Sequence, residues 1–470
     1  MRAAVYTLGC KLNQCESEAL ASTFDRRGFF IGSYKDEADI YIINTCTVTT
    51  KAEQKARRVI RKLAAEHPCS AIVVTGCYAQ LDRKELELAG NVIVVSNDSK
   101  DDINALPEYL QSIPRASGAG IADTVKDYFS ARGFKTDDDI PADGAGSPDR
   151  FWYDSVDFNY HTRAFLKIQD GCDNSCAYCR VTIARGPSVS LSPEAVLAGF
   201  ERLQRDGYRE VVLTGVNLTS YNYGGVNFSS LLSMLTEKAG KKVPGRPGGS
   251  GKPGGLRIRL SSLEPETIDL RLAGAVSSEA VCPHFHIPVQ SGSSRILKLM
   301  NRNNDRQSIV EAVNILRSVK DDPFMAADII AGFPGETDAD FEETCSLIVE
   351  CDLTRLHVFP FSPRPGTAAF SMRGKVPERV SRERTAILRK LSVENFRRYL
   401  ERWEGRQIKV LLEEQKPGYW LGTSENYLKS AVCDIIKKEG GVCMAEIDSN
   451  LCGGMGLPAE TSGCRFIEWT

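Results

Sequence analysis

The run Gly171-Cys172-Asp173-Asn174-Ser175-Cys176-Ala177-Tyr178-Cys179-Arg180 sets three thiols at Cys-x3-Cys-x2-Cys spacing. A [4Fe–4S] cubane takes one ligand per iron, usually a cysteine thiolate. Three thiolates leave one iron open, able to chelate the amino and carboxylate groups of S-adenosylmethionine and pass it an electron. Reductive cleavage of that cofactor gives a 5′-deoxyadenosyl radical, chemistry that no side chain can supply. A zinc knuckle would pair cysteines as Cys-x2-Cys with a second pair downstream, and no such pair follows. Cys172, Cys176 and Cys179 are therefore read as ligands of a cluster that cleaves S-adenosylmethionine.

Three further cysteines, Cys10, Cys46 and Cys77, are far apart in the chain. Each directly follows an apolar run that reads as a β-strand: Val5–Gly9, Tyr41–Thr45 and Val73–Gly76. In a parallel sheet the carboxyl ends of the strands share one edge, where ligands bind. Three thiols there can converge on one metal. Gly9 and Gly76 each precede a thiol, so backbone can come close to a bound group. Cysteine is also among the most buried residue types, and on spacing alone a packing role stays open. Cys15 stands at the start of a predicted helix rather than at a strand end. Cys69, Cys282, Cys345, Cys351, Cys433, Cys443, Cys452 and Cys464 show no ligand spacing and read as small core or surface residues.

The elements that must position these thiols follow from periodicity. Apolar runs Ala3–Leu8, Ile40–Ile43, Ala71–Val74 and Val92–Val95 predict buried parallel strands. Helical stretches Glu16–Arg27 and Lys51–Glu66 lie between them, stopped by Gly28 and Pro68. This predicts a doubly wound N-terminal sheet over 1–112. Residues 113–150 are rich in Gly, Ala, Asp, Ser and Pro and read as a linker or insertion. A second alternation gives strands Phe165–Ile168, Glu210–Leu213, Leu256–Leu260, His284–Ile287, Met325–Ile330 and Arg355–Phe359. Six strand–helix units imply a partial (β/α)6 barrel within 151–402. A Gly-rich basic loop, 239–255, interrupts it. A long charged helix, Glu378–Glu404, follows. Short β runs Ile408–Leu412, Tyr419–Leu421, Val432–Ile436 and Val442–Ile447 then predict a small antiparallel β-barrel over 403–470.

Composition narrows the class. The chain has 470 residues, 42% apolar and 26% charged, as in globular proteins. No apolar run approaches the roughly 20 residues that span a bilayer, so a cytoplasmic protein without membrane partners is expected. Fifteen cysteines in such a chain point to metal ligation rather than disulfides. The net charge of −2 gives no bulk attraction to nucleic acid, so any basic surface must be local.

Motifs in order along the chain resemble the radical-SAM methylthiotransferases. They include Gly9-Cys10-Lys11-Leu12-Asn13-Gln14, Asn44-Thr45-Cys46-Thr47-Val48-Thr49 and Val74-Thr75-Gly76-Cys77-Tyr78-Ala79-Gln80. The central cysteine motif with Ala184-Arg185-Gly186, His286-Ile287-Pro288-Val289-Gln290-Ser291-Gly292, Asp328–Thr337 and His357–Thr367 match as well. The sequences around Cys10, Cys46 and Cys77 are most similar to the threonylcarbamoyladenosine tRNA branch; sister branches act on isopentenyladenosine-37 of tRNA or on a ribosomal-protein aspartate. The resemblance implies an N-terminal methylthiotransferase domain, a radical-SAM barrel and a C-terminal TRAM-type barrel. It implies two [4Fe–4S] clusters, one on Cys172, Cys176 and Cys179 and an auxiliary one on Cys10, Cys46 and Cys77. It also implies S-adenosylmethionine as cofactor, tRNA as substrate, and an electron donor such as flavodoxin or ferredoxin. The terminal barrel departs from the expected RNA grip: from Trp403 it has 7 Lys/Arg against 10 Asp/Glu.

Strand ends of the barrel should line the cofactor site. Thr214 and Gly215, Ser261, Ser262 and Glu264, and Asp328 with Gly332 stand at such ends and are candidates to bind S-adenosylmethionine. Ser-Ser and Glu-Pro also make ordinary turns. Lys51, Lys55, Arg58 and Lys62 recur at spacings of 4, 3 and 4, a basic stripe on the helix after Cys46. It is a candidate tRNA contact, although such stripes are often solvated faces.

Overall fold

The computed structural model describes residues 1–113, 120–132, 150–151, 162–240, 255–417, 419–432, 442–446 and 464–466. The loop at 239–255 lies almost wholly outside the described residues, as do 133–149 and the greater part of the strand expected at Val432–Ile436.

The N-terminal sheet is built from β1 (Arg2–Thr7), β2 (Phe30–Gly32), β3 (Ile40–Thr45), β4 (Ala71–Gly76) and β5 (Val92–Val94). The order is β2-β1-β3-β4-β5, all parallel. Helices cover both faces: α2 (Thr50–Glu66) packs Ala56, Ile60 and Leu63 on one, and α1 (Lys11–Arg26) packs Leu20 and Phe24 on the other. This is a doubly wound sheet with its topological switch between β1 and β3, the crevice where such folds bind ligands. Strand β2 went unread in the sequence: it is three residues long, with Phe30 exposed on the sheet's edge.

The stretch expected to be a linker contains a helix, Ile121–Ala131. Its Ile121, Val125, Tyr128 and Phe129 recur at i, i+4, i+7 and i+8 and pack onto the N-terminal sheet. Four apolar positions in a Gly- and Asp-rich neighbourhood were too few to outweigh composition.

Six parallel barrel strands follow: β6 (Ala164–Lys167), β7 (Glu210–Thr214), β8 (Arg257–Leu260), β9 (His284–Gln290), β10 (Phe324–Ala331) and β11 (Arg355–Pro360). They form two three-stranded sheets, β8-β7-β6 and β9-β10-β11, joined by the bridges Ile258 to Val281 and Ser262 to His286. Their apolar faces make the largest core, and α1 contributes Cys15 and Ala19 to it. Cys15 is fully buried there and serves packing. The helix Glu378–Trp403 lies against β10 and β11; the hydroxyl of its Ser392 accepts the Leu356 N–H.

The last sheet is antiparallel: β12 (Gln407–Lys416), β13 (Tyr419–Ser424), β14 (Lys429–Val432), β15 (Val442–Glu446) and β16 (Cys464–Phe466), ordered β15-β12-β13-β14-β16. It docks at the amino ends of the barrel strands. Arg257 donates to Thr423 O and Arg259 to Ser424 O, both at 2.9 Å. Both arginines share the fully buried carboxylate of Glu210 at the start of β7. The carboxyl ends of the barrel strands are thereby left for chemistry. Among the described residues no helix is long and apolar enough to cross a membrane.

Burial alone would raise the Glu210 carboxyl, but Arg259 and Arg257 outweigh it and hold the group well below its ordinary 4.5. A carboxyl lowered in the folded state contributes stability above its unfolded pKa and loses that contribution as pH falls toward the folded value. Glu210→Gln should therefore cost about 3–5 kcal/mol at neutral pH, since it strands two buried guanidiniums. Urea denaturation should also show a shallower loss of stability below about pH 4.5 in the variant than in the parent.

Candidate active site

Cys10 caps the amino end of α1, Cys46 follows β3 directly, and Cys77 opens the short helix α3 (Cys77–Leu81) after β4. The three thiols meet at the switch-point edge. Gly9 has φ +107°, and a Cβ there would lie 2.5 Å from Cys46 Cβ and 2.7 Å from its Sγ. Gly76 has φ +100°, and a Cβ there would lie 2.3 Å from Thr45 O. The two glycines therefore let β1 and β4 close around Cys46. Burial is the main force raising the Cys10 thiol and pushing Cys46 up to about 12, and the neighbouring thiols add to both.

Cys172, Cys176 and Cys179 lie on the loop after β6. Cys172 N–H donates to Gly186 O at 3.1 Å, and Cys179 N–H donates to Cys176 O at 3.1 Å. Burial pushes the Cys179 thiol up to about 12 and raises Cys172. Ligand binding must displace these protons.

Two observations test whether the thiols fit an iron–sulfur group. Four of the six sulfurs accept hydrogen bonds, as metal-bound thiolates do, whereas Cys10 Sγ donates to Asn13 Oδ1 at 3.9 Å. Val48 N–H points at Cys46 Sγ (3.5 Å), Val181 N–H at Cys179 Sγ (3.4 Å), Arg185 Nε at Cys77 Sγ (3.2 Å) and Arg302 Nη1 at Cys176 Sγ (3.6 Å). The spacing also matters. A single tetrahedral zinc with ~2.3 Å bonds draws its sulfurs to about 3.8 Å from one another. Among the described residues neither cysteine triad has all its sulfurs within 4.8 Å of one another.

Buried ion pairs hold the two sites together. Arg185, at the end of a helix (Val181–Arg185) just past Cys179, is buried and reaches Glu16 of α1 at 2.9 and 3.1 Å. It also donates to both oxygens of Asp170 at 3.1 Å and to Asn13 Oδ1 at 2.9 Å. Lys100 and Lys167 pair with Glu16 in the same pocket, and Lys167 with Asp170 at 2.6 Å. Burial opposes the charge on Glu16 and Asp170, but Arg185 and the lysines win, so both carboxyls sit below their ordinary range. A second set lies beside Cys46. Arg364 donates to Thr47 Oγ1 (2.9 Å) and pairs with Glu53; Arg180 pairs with Asp82 (2.9 Å) and Glu53 (3.5 Å).

The candidate cofactor residues divide by what their polar atoms already do. Ser261 Oγ is buried without a hydrogen-bond partner among the described residues. Ser262 bridges to His286. Glu264 is paired with Arg302, the arginine beside Cys176. Thr214 Oγ1 donates to its own strand at Val212 O, and Gly215 abuts Gln169, where a Cβ would come within 2.8 Å of Oε1. Gly332 N–H is committed to Glu336 Oε2 at 2.7 Å. Asp328 lies between His286 (2.8 Å) and His357 (3.6 Å), a carboxylate flanked by two imidazoles on the face lining the barrel. Lys51, Lys55, Arg58 and Lys62 are all exposed along α2.

Sequence reasoning singled out neither the arginines nor the histidines. Arg185, His286 and His357 stood inside recognised motifs, but nothing local says that Arg185 meets Cys77 across 108 residues. Glu53→Ala leaves Arg180 and Arg364 without their shared carboxylate. It should cost about 3 kcal/mol in urea denaturation. It should also speed alkylation of Cys46 in metal-free protein while leaving Cys172 labelling unchanged.

Comparison with known proteins agrees with this architecture. Residues 2–96 match the family described as "Uncharacterized protein family UPF0004", and 166–348 match the radical SAM superfamily. The threonylcarbamoyladenosine tRNA methylthiotransferase of Treponema pallidum is 37% identical, covering 93% of this chain and 95% of that protein. Its counterpart from Aquifex aeolicus is 32% identical, covering 94% and 97%. Among solved structures, the radical S-adenosylmethionine methyltransferase TsrM of Kitasatospora setae superposes with a TM-score of 0.54 at 14% identity, over 78% of this chain and 77% of that one, a likeness of fold. The radical SAM match brings with it S-adenosylmethionine and one [4Fe–4S] cluster. With its two cysteine triads set on a doubly wound sheet and a six-stranded barrel, and with relatives matched over nearly their whole length, the chain belongs to the threonylcarbamoyladenosine tRNA methylthiotransferases of the radical SAM superfamily.

Proposed function

We propose that the protein converts C2–H to C2–S–CH3 on N6-threonylcarbamoyladenosine at position 37 of tRNA, with the methyl group taken from one S-adenosylmethionine, the C2 hydrogen removed at the expense of a second, and the sulfur supplied from the N-terminal cysteine site. The observation that carries this reading is the contact between the two cysteine sites. Gly186 O accepts the Cys172 N–H, while the adjacent Arg185 donates to Cys77 Sγ. A site able to cleave S-adenosylmethionine and a second site able to hold sulfur are thus neighbours. Cys172, Cys176 and Cys179 would hold the first [4Fe–4S] cluster, and Cys10, Cys46 and Cys77 the second. When bound, the first cluster with S-adenosylmethionine supplies one-electron removal of an aromatic hydrogen that ordinary acid–base chemistry cannot reach.

The chain's own residues then have distinct tasks. Ser261 offers its free hydroxyl to the cofactor, beside Thr214, Gly215, Ser262, Asp328 and Gly332. Glu264 keeps Arg302 against Cys176. Thr47, clamped by Arg364, fixes the turn that presents Cys46. Lys51, Lys55, Arg58 and Lys62 give tRNA phosphates a basic track leading from Cys46. In this reading 1–112, 151–402 and 403–470 work as three units in the cytoplasm, with a flavodoxin or ferredoxin as electron donor.

Anaerobic reconstitution should load about eight irons per chain, falling to about four in a Cys172→Ala/Cys176→Ala/Cys179→Ala variant. A Cys46→Ala variant should still release 5′-deoxyadenosine under strong reductant yet form no methylthio product, both read by chromatography of one reaction. Full methylthiolation by that variant would make the N-terminal cysteines packing residues. Charge reversal at Lys55 and Arg58 should weaken tRNA binding and flatten its salt dependence. A larger loss on deleting 406–470 would move the RNA grip to the terminal sheet.

A further inference from the structure

Arg185 has no task in the reaction just described, yet its guanidinium is held on every side. Its Nε donates to Cys77 Sγ, Nη1 to Glu16 and Asp170, and Nη2 to Asn13 and Glu16. All five N–H groups of the guanidinium therefore have acceptors. Its partners come from both halves of the molecule. Cys77, Asn13 and Glu16 belong to the N-terminal half. Asp170 precedes the Gly171-Cys172 loop and accepts the Gly171 N–H at 2.7 Å. The next residue, Gly186, takes the Cys172 N–H. Two consecutive residues thus touch both cysteine sites.

Charge makes the contact with Cys77 more than incidental. Among the described residues, the buried set comprises Glu16 and Asp170, two negative groups, and Lys100, Lys167 and Arg185, three positive ones. A metal-bound thiolate at Cys77 would set a negative charge directly against the Arg185 guanidinium. Donor hydrogen bonds to a ligating sulfur, and a cation beside it, favour the electron-rich state of an iron–sulfur centre.

We propose that Arg185 is a positioning residue for the N-terminal cysteine site, fixing the Cys77 sulfur and raising the electron affinity of the centre it ligates. Because Arg185 is carried by the barrel half, the N-terminal site reaches its working state only when the two halves are docked. The proposal rests on the reading that Cys10, Cys46 and Cys77 hold an iron–sulfur cluster.

The test uses the full-length chain with Cys172→Ala, Cys176→Ala and Cys179→Ala, so that only the N-terminal centre contributes iron. Three forms are compared: Arg185 retained, Arg185→Lys and Arg185→Gln. Each is assayed for iron per chain, for reduction potential by EPR-monitored titration, and for folding by circular dichroism melting. Arg185→Gln should stay folded and either shift the centre to lower potential or lose its iron selectively. Arg185→Lys, which keeps the charge and one donor, should fall between it and the parent. Parent iron content and parent potential in Arg185→Gln would overturn the proposal. So would loss of the folded state in both variants, which would leave Arg185 a purely structural residue. If the form retaining Arg185 binds no iron, the reading of the N-terminal site itself is wrong. That failure is distinct from a loaded centre indifferent to residue 185.

Discussion

The guanidinium of Arg185 and the carboxylate of Glu16, buried together where α1 meets the barrel, decide how the two halves of the molecule face each other. A buried charge without a partner is strongly destabilising, and a buried pair tolerates little displacement. Glu16 comes from the helix that Cys10 caps, and Arg185 from the turn after Cys179. Pairing them sets the N-terminal thiols against the barrel loop that carries the other three. Lys100, Lys167 and Asp170 complete the arrangement. Such a network adds less to net stability than an apolar core of the same volume, but it admits one docking geometry.

The two cysteine sites have similar surroundings despite unrelated sequence contexts. Each has one thiol facing an arginine: Cys77 faces Arg185, and Cys176 faces Arg302. Each arginine is held by a carboxylate, Glu16 or Glu264. Each site also has one thiol facing a backbone N–H two residues ahead, from Val48 to Cys46 and from Val181 to Cys179. Burial makes Cys46 and Cys179 poor acids when empty. Once deprotonated by a metal they find donors already aimed at them, so the cost of reorganisation has been met in folding.

Polarity of the barrel separates support from chemistry. The antiparallel sheet closes the amino ends of the strands through Arg257, Arg259 and Glu210. The carboxyl ends remain for the cysteine loop, for the unpartnered hydroxyl of Ser261 and for the His286, Asp328 and His357 group. The exposed basic face of α2 begins beside Cys46, at that same working end, whereas the terminal sheet sits at the other.

Much of this was legible in the chain. Buried strands such as Ile40–Thr45 and Ala71–Gly76 are continuous apolar runs, and their alternation with helices dictates a parallel sheet. The Cys-x3-Cys-x2-Cys run announces its chemistry through spacing alone, because its ligands are local. Short or compositionally masked elements were not legible: β2 is three residues on an edge, and Ile121–Ala131 lies within a Gly- and Asp-rich stretch. Nor were the partners of the buried charges. Arg185 meets Cys77 across 108 residues and Glu16 across 169, and Arg364 meets Glu53 across 311. Sequence determines which residues can ionise or ligate, and which local periods they sit on. Only the packing of sheet on barrel decides which charges are taken out of water together, since that depends on contacts between segments whose patterns carry no record of one another.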